Sequence, residues 1–303
     1  MAFACALSIV ATGMATGCSS KVEVSGGGGG GSSNGGGNAG AGGGSAGGTA
    51  GGSAGGTAGG GGTGNGDAGT SNGTITLIIR DFKFYSASDP TTNANFENVP
   101  STPSPWPDPD IVTTTLGPDH KPVYKNTTGT TLTTHGAASF NQWYNDVAGT
   151  NIHVDYPLVL TQAADGSWGY DSNVSGVDYT AGNDSTKGFF PIDDGSPYAT
   201  AFGNQGIDHN FSFTAESHTT FTYNGGETFH YRGDDDVFVY INNQLVINLG
   251  GIHDPETGDV ALDSLGLTKG QSYPLDFFFA ERHQGGSNML FTTTLLLAQA
   301  PII

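Results

Sequence analysis

Asp234, Asp235 and Asp236 stand side by side at the start of the run Gly-Asp-Asp-Asp-Val-Phe-Val-Tyr-Ile-Asn-Asn-Gln-Leu-Val-Ile-Asn-Leu-Gly-Gly, residues 233–251. Adjacent carboxylates repel one another, and burying them without a partner is costly. Yet an apolar run follows them at once, so a loop carrying three carboxylates leads directly into a core strand. Two readings fit this pattern. In one, the loop holds a hard cation. Ca²⁺ takes six to eight oxygens from carboxylates, amides and carbonyls, and Asn248, Asp254 and Asn288 stand in nearby loops. In the other, the three aspartates form a hydrated acidic turn or cap backbone amides. His253 and His283 invite a transition-metal or catalytic reading, against the more ordinary role of hydrogen-bonding a carboxylate or carbonyl. Glu281-Arg282 suits an ion pair bracing the hairpin, and a buried arginine bridging several carbonyls would brace it equally.

The elements that must position these residues read as strands. Val237–Ile241 and Gln244–Leu249 flank Asn242-Asn243, a pair suited to the left-handed dihedrals of a two-residue hairpin turn. Upstream, residues 75–84 are rich in β-branched side chains and predict a first strand. Residues 152–160 predict another, as do 227–231 and the alternating segments 210–216 and 218–223. Ser272–Glu281 and Leu290–Leu297 close the chain. Residues 86–122 hold eight prolines, which predicts a long excursion without helix or central strand. Phe140–Tyr144 is the best helical candidate, with Ser139 placed to cap it. Residues 166–170 and 188–195 read as aromatic-bearing turns. Many short strands separated by Gly and Asn turns predict an all-β fold, an antiparallel β-sandwich.

Charge and composition narrow the function. The formal net charge is −19, from 28 acidic and 9 basic residues, which disfavours nucleic acid and anionic lipid as partners. The only cysteines, Cys5 and Cys18, precede residue 20. The globular part therefore has no disulfide scaffold, zinc-thiolate site or thiol nucleophile. It also lacks a nucleophile elbow, a phosphate loop, a His-Glu-x-x-His motif and an EF-hand loop. Paired carboxylates could serve a glycoside hydrolase, but with this many acidic residues chance pairs are certain. Trp106, Trp143 and Trp168 are candidate sugar-stacking aromatics, although at least one is expected in the core.

Residues 2–15 are apolar or small and form a secretion-signal core too short to span a membrane. They run into Ala-Thr-Gly-Cys-Ser-Ser. Small residues directly before Cys18 resemble a bacterial lipobox, in which Cys18 becomes the acylated first residue, while an ordinary cleaved signal peptide fits as well. Residues 19–73 are dominated by Gly, Ser, Ala and Thr, with Ser-Ala-Gly-Gly-Thr-Ala-Gly-Gly twice in tandem at 45–60. Such a segment has nothing to bury and predicts a disordered tether. Its 49-residue stretch 25–73 would span about 35–42 Å as a flexible coil. The expected organisation is a leader over 1–18, a tether over 19–73 and one domain over 74–303.

Five blocks in order resemble the fibro-slime domain: Gly-Asp-Asp-Asp-Val-Phe-Val (233–239), Leu-Gly-Gly-Ile-His (249–253), Leu-Gly-Leu-Thr-Lys-Gly (265–270), Phe-Phe-Ala-Glu-Arg-His (278–283) and Ser-Asn (287–288). That family is similar to the β-sandwich class of anthrax protective antigen and yeast cell-wall adhesins. In its sugar-binding members, consecutive aspartates bind Ca²⁺, often through a cis peptide bond. Carried onto this chain, the resemblance implies Asp234 and Asp235 as the pair. Asp236 stands where the wider class has Gly. The candidate metal ligands are Asp234, Asp235 and Asp236, and the candidate ligand-binding residues are Asp234, Asp235, His253, Glu281 and His283. The expected protein is a secreted, lipid-anchored surface module, not an enzyme, that binds carbohydrate or extracellular matrix with help from Ca²⁺. A structural matrix protein without a small ligand is the first rival, and a polysaccharide hydrolase the second.

Overall fold

The computed structural model describes residues 73–98, 105–172 and 188–300. The expected leader, Cys18 and the glycine-rich tether lie outside them. Sixteen strands occur among the described residues: Thr74–Phe82 (β1), Trp106–Pro107 (β2), Val112–Leu116 (β3), Pro122–Tyr124 (β4), Asn151–Val159 (β5), Thr161–Gln162 (β6), Trp168–Asp171 (β7), Phe213–Thr222 (β8), Thr228–Gly233 (β9), Asp236–Ile241 (β10), Gln244–Leu249 (β11), Gly251–Ile252 (β12), Glu256–Ala261 (β13), Ser272–Glu281 (β14), Met289–Thr293 (β15) and Ala298–Gln299 (β16). One larger sheet runs β11-β10-β14-β8-β1-β5, with β16 joined to β8, and a second runs β13-β9-β15-β7-β6. All their pairings are antiparallel. The fold is the all-β sandwich that the strand patterning predicts.

Period-two alternation decides which face each side chain serves. On β14, Leu275, Phe277 and Phe279 point into the main core between the sheets, while Phe278 and Ala280 belong to a second core on the outer face. On β10, Val237, Val239 and Ile241 join the main core, and Phe238 and Tyr240 join the second. The larger sheet is thus apolar on both faces over β10 and β14, which explains the continuous hydrophobic run after the aspartates. The excursion supplies the outer cover. Phe96, Ile111, Tyr124, Phe140 and Trp143 are buried against this face, and the short helix Ala137–Phe140 (α1) sits within that cover.

Several local expectations change. The excursion contains β2, β3 and β4, because its prolines fall at short edge pairings that a central strand would not tolerate. Ser139 lies inside α1 rather than capping it, and Gly136 takes the N-cap position without a side-chain bond. Residues 168–171 form β7 instead of a turn, since Tyr170 pairs with Phe291 on β15. The segments 210–216 and 218–223 merge over Phe213–Thr222 into the single strand β8, because the buried Ser217 between them pairs with Phe277 on β14. The Asn242-Asn243 turn holds as expected, with φ of 52° and 63°.

Where the cover ends, the outer face of β1 and β8 carries charge. Arg80 Nε donates to Asp146 Oδ1 at 2.8 Å and its Nη1 to Glu216 Oε1 at 2.7 Å. His218 stands between Asp276, 2.7 Å from Nδ1, and Glu216, 3.5 Å from Nε2. Burial works against an imidazolium here, but the bond to Asp276 and the nearby Glu216 carboxylate outweigh it and lift the His218 pKa to about 9.

Two outcomes test this arrangement. Phe279 is fully buried between Phe189 and Phe213; Phe279→Ala should cost about 3–5 kcal/mol in urea unfolding, by lost transfer energy and the cavity left behind. Because the folded His218 pKa exceeds the ordinary imidazole value, its stabilisation is present in full below about pH 6.5 and is lost as pH rises through about 9. Thermal melts from pH 6 to 10 should show that loss, and His218→Asn should flatten it.

Candidate functional site

The three aspartates occupy the junction between β9 and β10, and the peptide bond joining Asp234 to Asp235 is cis. Gly233 is needed just before them, because a Cβ there would collide with the Asn288 carbonyl and the Tyr231 hydroxyl. Gly251 is needed across from them. Its φ is +117°, and a Cβ would strike the Trp106 carbonyl on the paired strand β2. These two close approaches draw the β11–β12 turn and the β14–β15 loop onto the carboxylates.

Each aspartate is buried, and each has its own partners. Asp234 accepts bonds from the backbone amide and the side-chain amide of Asn288. Asp235 accepts from the backbone amides of His253 at 3.3 Å and Arg282 at 3.1 Å. Asp236 accepts from Gly251 N at 2.7 Å and from Arg282 Nε at 2.6 Å. The last pair follows from strand alternation: Asp236 shares the outer face of β10 with Phe238 and Tyr240, and Arg282 continues the outer face of β14. Asp236 was expected at a metal. Its two oxygens are instead taken by the guanidinium and a backbone amide.

Arg282 is fully buried. Its Nη1 donates to the carbonyls of Asn95 at 3.2 Å and Thr133 at 2.9 Å, and its Nη2 to Thr133 Oγ1 at 3.2 Å. The guanidinium carbon sits 4.8 Å from the centre of the Trp143 ring. The expectation of an arginine bridging carbonyls holds. Asn95 and Thr133 went unpredicted, since nothing in the sequence of the excursion or of the segment after it marks which carbonyls turn inward.

Glu281 does not pair with Arg282. Alternation sends it to the opposite face, where it is fully buried beside Ser287 and the His283 amide, and neither of its oxygens completes a hydrogen bond. Burial raises its carboxyl well above the usual range, and the Asp235 and Asp234 carboxylates add to the rise. Burial likewise lifts Asp234 to about 6 and pushes Asp235 well up, where its neighbour Asp234 adds repulsion. Asn288 Oδ1 and the Tyr231 hydroxyl are also buried without partners.

Four buried carboxylates therefore share one buried guanidinium, and that cation is committed to Asp236. Asp234, Asp235 and Glu281 form the electron-rich remainder, joined by the unpartnered oxygen of Asn288. This is donor chemistry that a hard cation fits. Among the described residues, no three His, Cys, Asp or Glu side chains already converge in a metal-binding arrangement. A Ca²⁺ here would draw on Asp234, Asp235 and amide or backbone oxygens.

The histidines divide. His253 is buried; its amide donates to Asp235, and its ring nitrogens face the carbonyls of Asp254 at 2.9 Å and Leu249 at 3.2 Å. It braces its own loop. His283 is partly exposed, 6.0 Å from the Trp106 ring in an edge contact, and burial lowers its pKa. Of the three tryptophans, Trp143 and Trp106 are buried and Trp168 is half-buried, which removes Trp143 from the sugar-stacking candidates.

Residues 192–299 match the PA14 domain. The chain is 39% identical over 193 residues to the protein psiD of Dictyostelium discoideum, covering 61% of this chain and 36% of psiD. It is 37% identical over 226 residues to psiC of the same organism, covering 69% of this chain and 39% of psiC. The chain thus spans less than two-fifths of these relatives. The crystal structure of the PA14 domain of the MpAFP antifreeze protein aligns at 12% identity over 31% of this chain and 56% of that one, with a TM-score of 0.23.

Replacing Arg282 tests the electrostatics. Arg282→Met should destabilise the domain by about 3–5 kcal/mol in urea unfolding, because it strands Asp236 as an unpaired buried charge. Adding Asp236→Asn should return much of that loss.

Proposed function

From a β-sandwich whose residues 192–299 match the PA14 domain, we propose an extracellular adhesion module that binds carbohydrate or matrix with help from Ca²⁺ at Asp234 and Asp235. The single observation that carries the reading is the charge imbalance at the β9–β10 junction. Asp234, Asp235 and Glu281 are buried together with no cation of their own, and Asn288 Oδ1 and both Glu281 oxygens make no hydrogen bond. Carboxylates held this way are either protonated or neutralised by a cation, and Ca²⁺ accepts carboxylate and amide oxygens in loose geometry. Partly exposed His283, next in the chain to Arg282, is the proposed contact for a ligand. The module is proposed as non-catalytic, secreted and anchored through an acylated Cys18. Among the described residues, no helix is long and apolar enough to cross a membrane.

One observation favours a second reading, a matrix protein in which any metal only stiffens the loop. Every aspartate in the triplet already has protein hydrogen-bond donors, so the loop has a framework of its own.

Calorimetry with Ca²⁺ and a glycan array, each with wild type and Asp235→Ala, separates the readings. Saturable Ca²⁺ heat and calcium-dependent glycan capture, both lost in the variant, are expected. At a hundredfold excess over its Kd, Ca²⁺ should stabilise the fold by about 2.7 kcal/mol. Heat without glycan capture supports the matrix reading. No heat and no glycan would sink the lectin reading, and turnover of polysaccharide by the purified domain would replace it with a hydrolase.

A further inference from the structure

A second recess lies on the outer face of the larger sheet, at the border where the excursion's cover stops. Its floor is a row of alternating charge that crosses the strands: Asp146, Arg80, Glu216, His218 and Asp276. Lys121 closes one side, its Nζ 3.5 Å from Glu216 Oε1 and bonded to the Tyr144 carbonyl. The cavity measures about 520 Å³, within the ~300–1,000 Å³ range of small-ligand pockets. Asp276 lies five residues before Glu281 on β14, about 17 Å along the strand, so this recess stands apart from the aspartate triplet.

Two atoms in the floor lack partners. Glu216 is 1% exposed and Asp276 2% exposed, and both line the cavity. Glu216 Oε2 sits 3.5 Å from His218 Nε2 and makes no hydrogen bond, and neither does Asp276 Oδ2. Leaving such acceptors unpaired is costly, so they call for donors from outside the chain. The other carboxylate oxygens already serve Arg80 and His218.

The charge balance indicates what those donors belong to. On the buried floor, Arg80 and a protonated His218 match Glu216 and Asp276 one for one, while Lys121 and the exposed Asp119 stand at the rim and the exposed Asp146 pairs with Arg80 and His153. In a chain of net charge −19, this floor is locally neutral. A fully charged ligand would add an uncompensated charge to a low-dielectric floor. Hydroxyl groups would not, because each can donate to an orphaned carboxylate oxygen and accept from a cationic donor, and bonds to ionised partners are the stronger kind. Lys121 supplies a donor at the rim, where both ring nitrogens of the exposed His153 are held by Asp146 and Asp155. Ile78, Pro274 and Ala300 add apolar wall for the C–H face of a ring.

We propose that this recess is a second, calcium-independent binding site for a neutral sugar residue, with Glu216 and Asp276 accepting from its hydroxyls and Lys121 donating to them.

The test is an NMR titration of the described domain in excess EDTA with glucose, galactose, mannose and N-acetylglucosamine, and with glucosamine and glucuronate as cationic and anionic controls. At least one neutral sugar is expected to bind saturably and to shift the His218 ring resonances. Thr220 lies on the same face of β8, half-buried in the recess. Thr220→Trp should fill the cavity and weaken that binding at least tenfold, with the melting temperature and any Ca²⁺-dependent capture unchanged. If that variant does not fold, Lys121→Met provides the second arm, with a similar loss expected on removal of the rim donor. The proposal is overturned if no neutral sugar perturbs His218, if binding vanishes on chelation, or if both folded variants bind like wild type. Selective binding of glucosamine alone would also overturn it, in favour of a cation site.

Discussion

One guanidinium decides how the larger sheet is covered. Arg282 is wholly buried, and its donors reach in two directions. Nε holds the Asp236 carboxylate at the start of β10, while the Nη atoms fasten the Asn95 carbonyl of the excursion and the Thr133 carbonyl just beyond it. Burying an ion pair is expensive, and such a pair is tolerated where geometry is good and the remaining donors are satisfied. Here the remaining donors are satisfied by exactly the segment that must lie over the outer face. The Trp143 ring stacked near the guanidinium completes the enclosure. Without this pivot, the apolar outer sides of β10 and β14 would have nothing to fix their cover in register.

Strand alternation then distributes the remaining charge. Adjacent residues on a strand serve opposite faces, so Glu281 and Arg282 part company although they are neighbours in sequence. Arg282 neutralises Asp236, and Glu281 is left on the inner side with Asp234 and Asp235. The result is a lopsided electrostatic environment on either side of one strand end. One side is a closed ion pair with structural work, and the other is a carboxylate group short of positive charge. Further along the same sheet, Arg80, Glu216, His218 and Asp276 form a balanced row instead. Two recesses with opposite electrostatic character thus share one set of strands.

The antiparallel β-sandwich was legible from the linear pattern. The Asn242-Asn243 turn, the full extent of β14 and the first strand follow from local propensity and alternation, which depend on near neighbours. The triplet's importance was legible too, because three adjacent carboxylates before an apolar run demand a compensating partner. What misled was proximity in sequence: Glu281-Arg282 reads as a pair, yet Arg282 turns to Asp236. Counting alternate positions forward from Phe278 and back from Phe238 would have matched Arg282 with Asp236. No such count reaches Asn95 or Thr133. Their carbonyls are chosen by how the proline-rich excursion and the segment after it close over the sheet, and β2, β3 and β4 there are short pairings that local propensity does not mark.

The chain's sequence on its own determined an acidic, cysteine-free, antiparallel β domain with a carboxylate-rich junction at residues 234–236. Those properties depend on residue type and period, which any reader of the chain can count. Tertiary structure alone decided which carboxylate meets Arg282, which oxygens stay unpartnered, and where the outer cover ends to leave the charged recess beside Glu216 and His218. The reason is physical. Desolvation and charge pairing are set by distances across strands and loops far apart in the chain, and only the folded packing brings those groups within a few ångströms of one another.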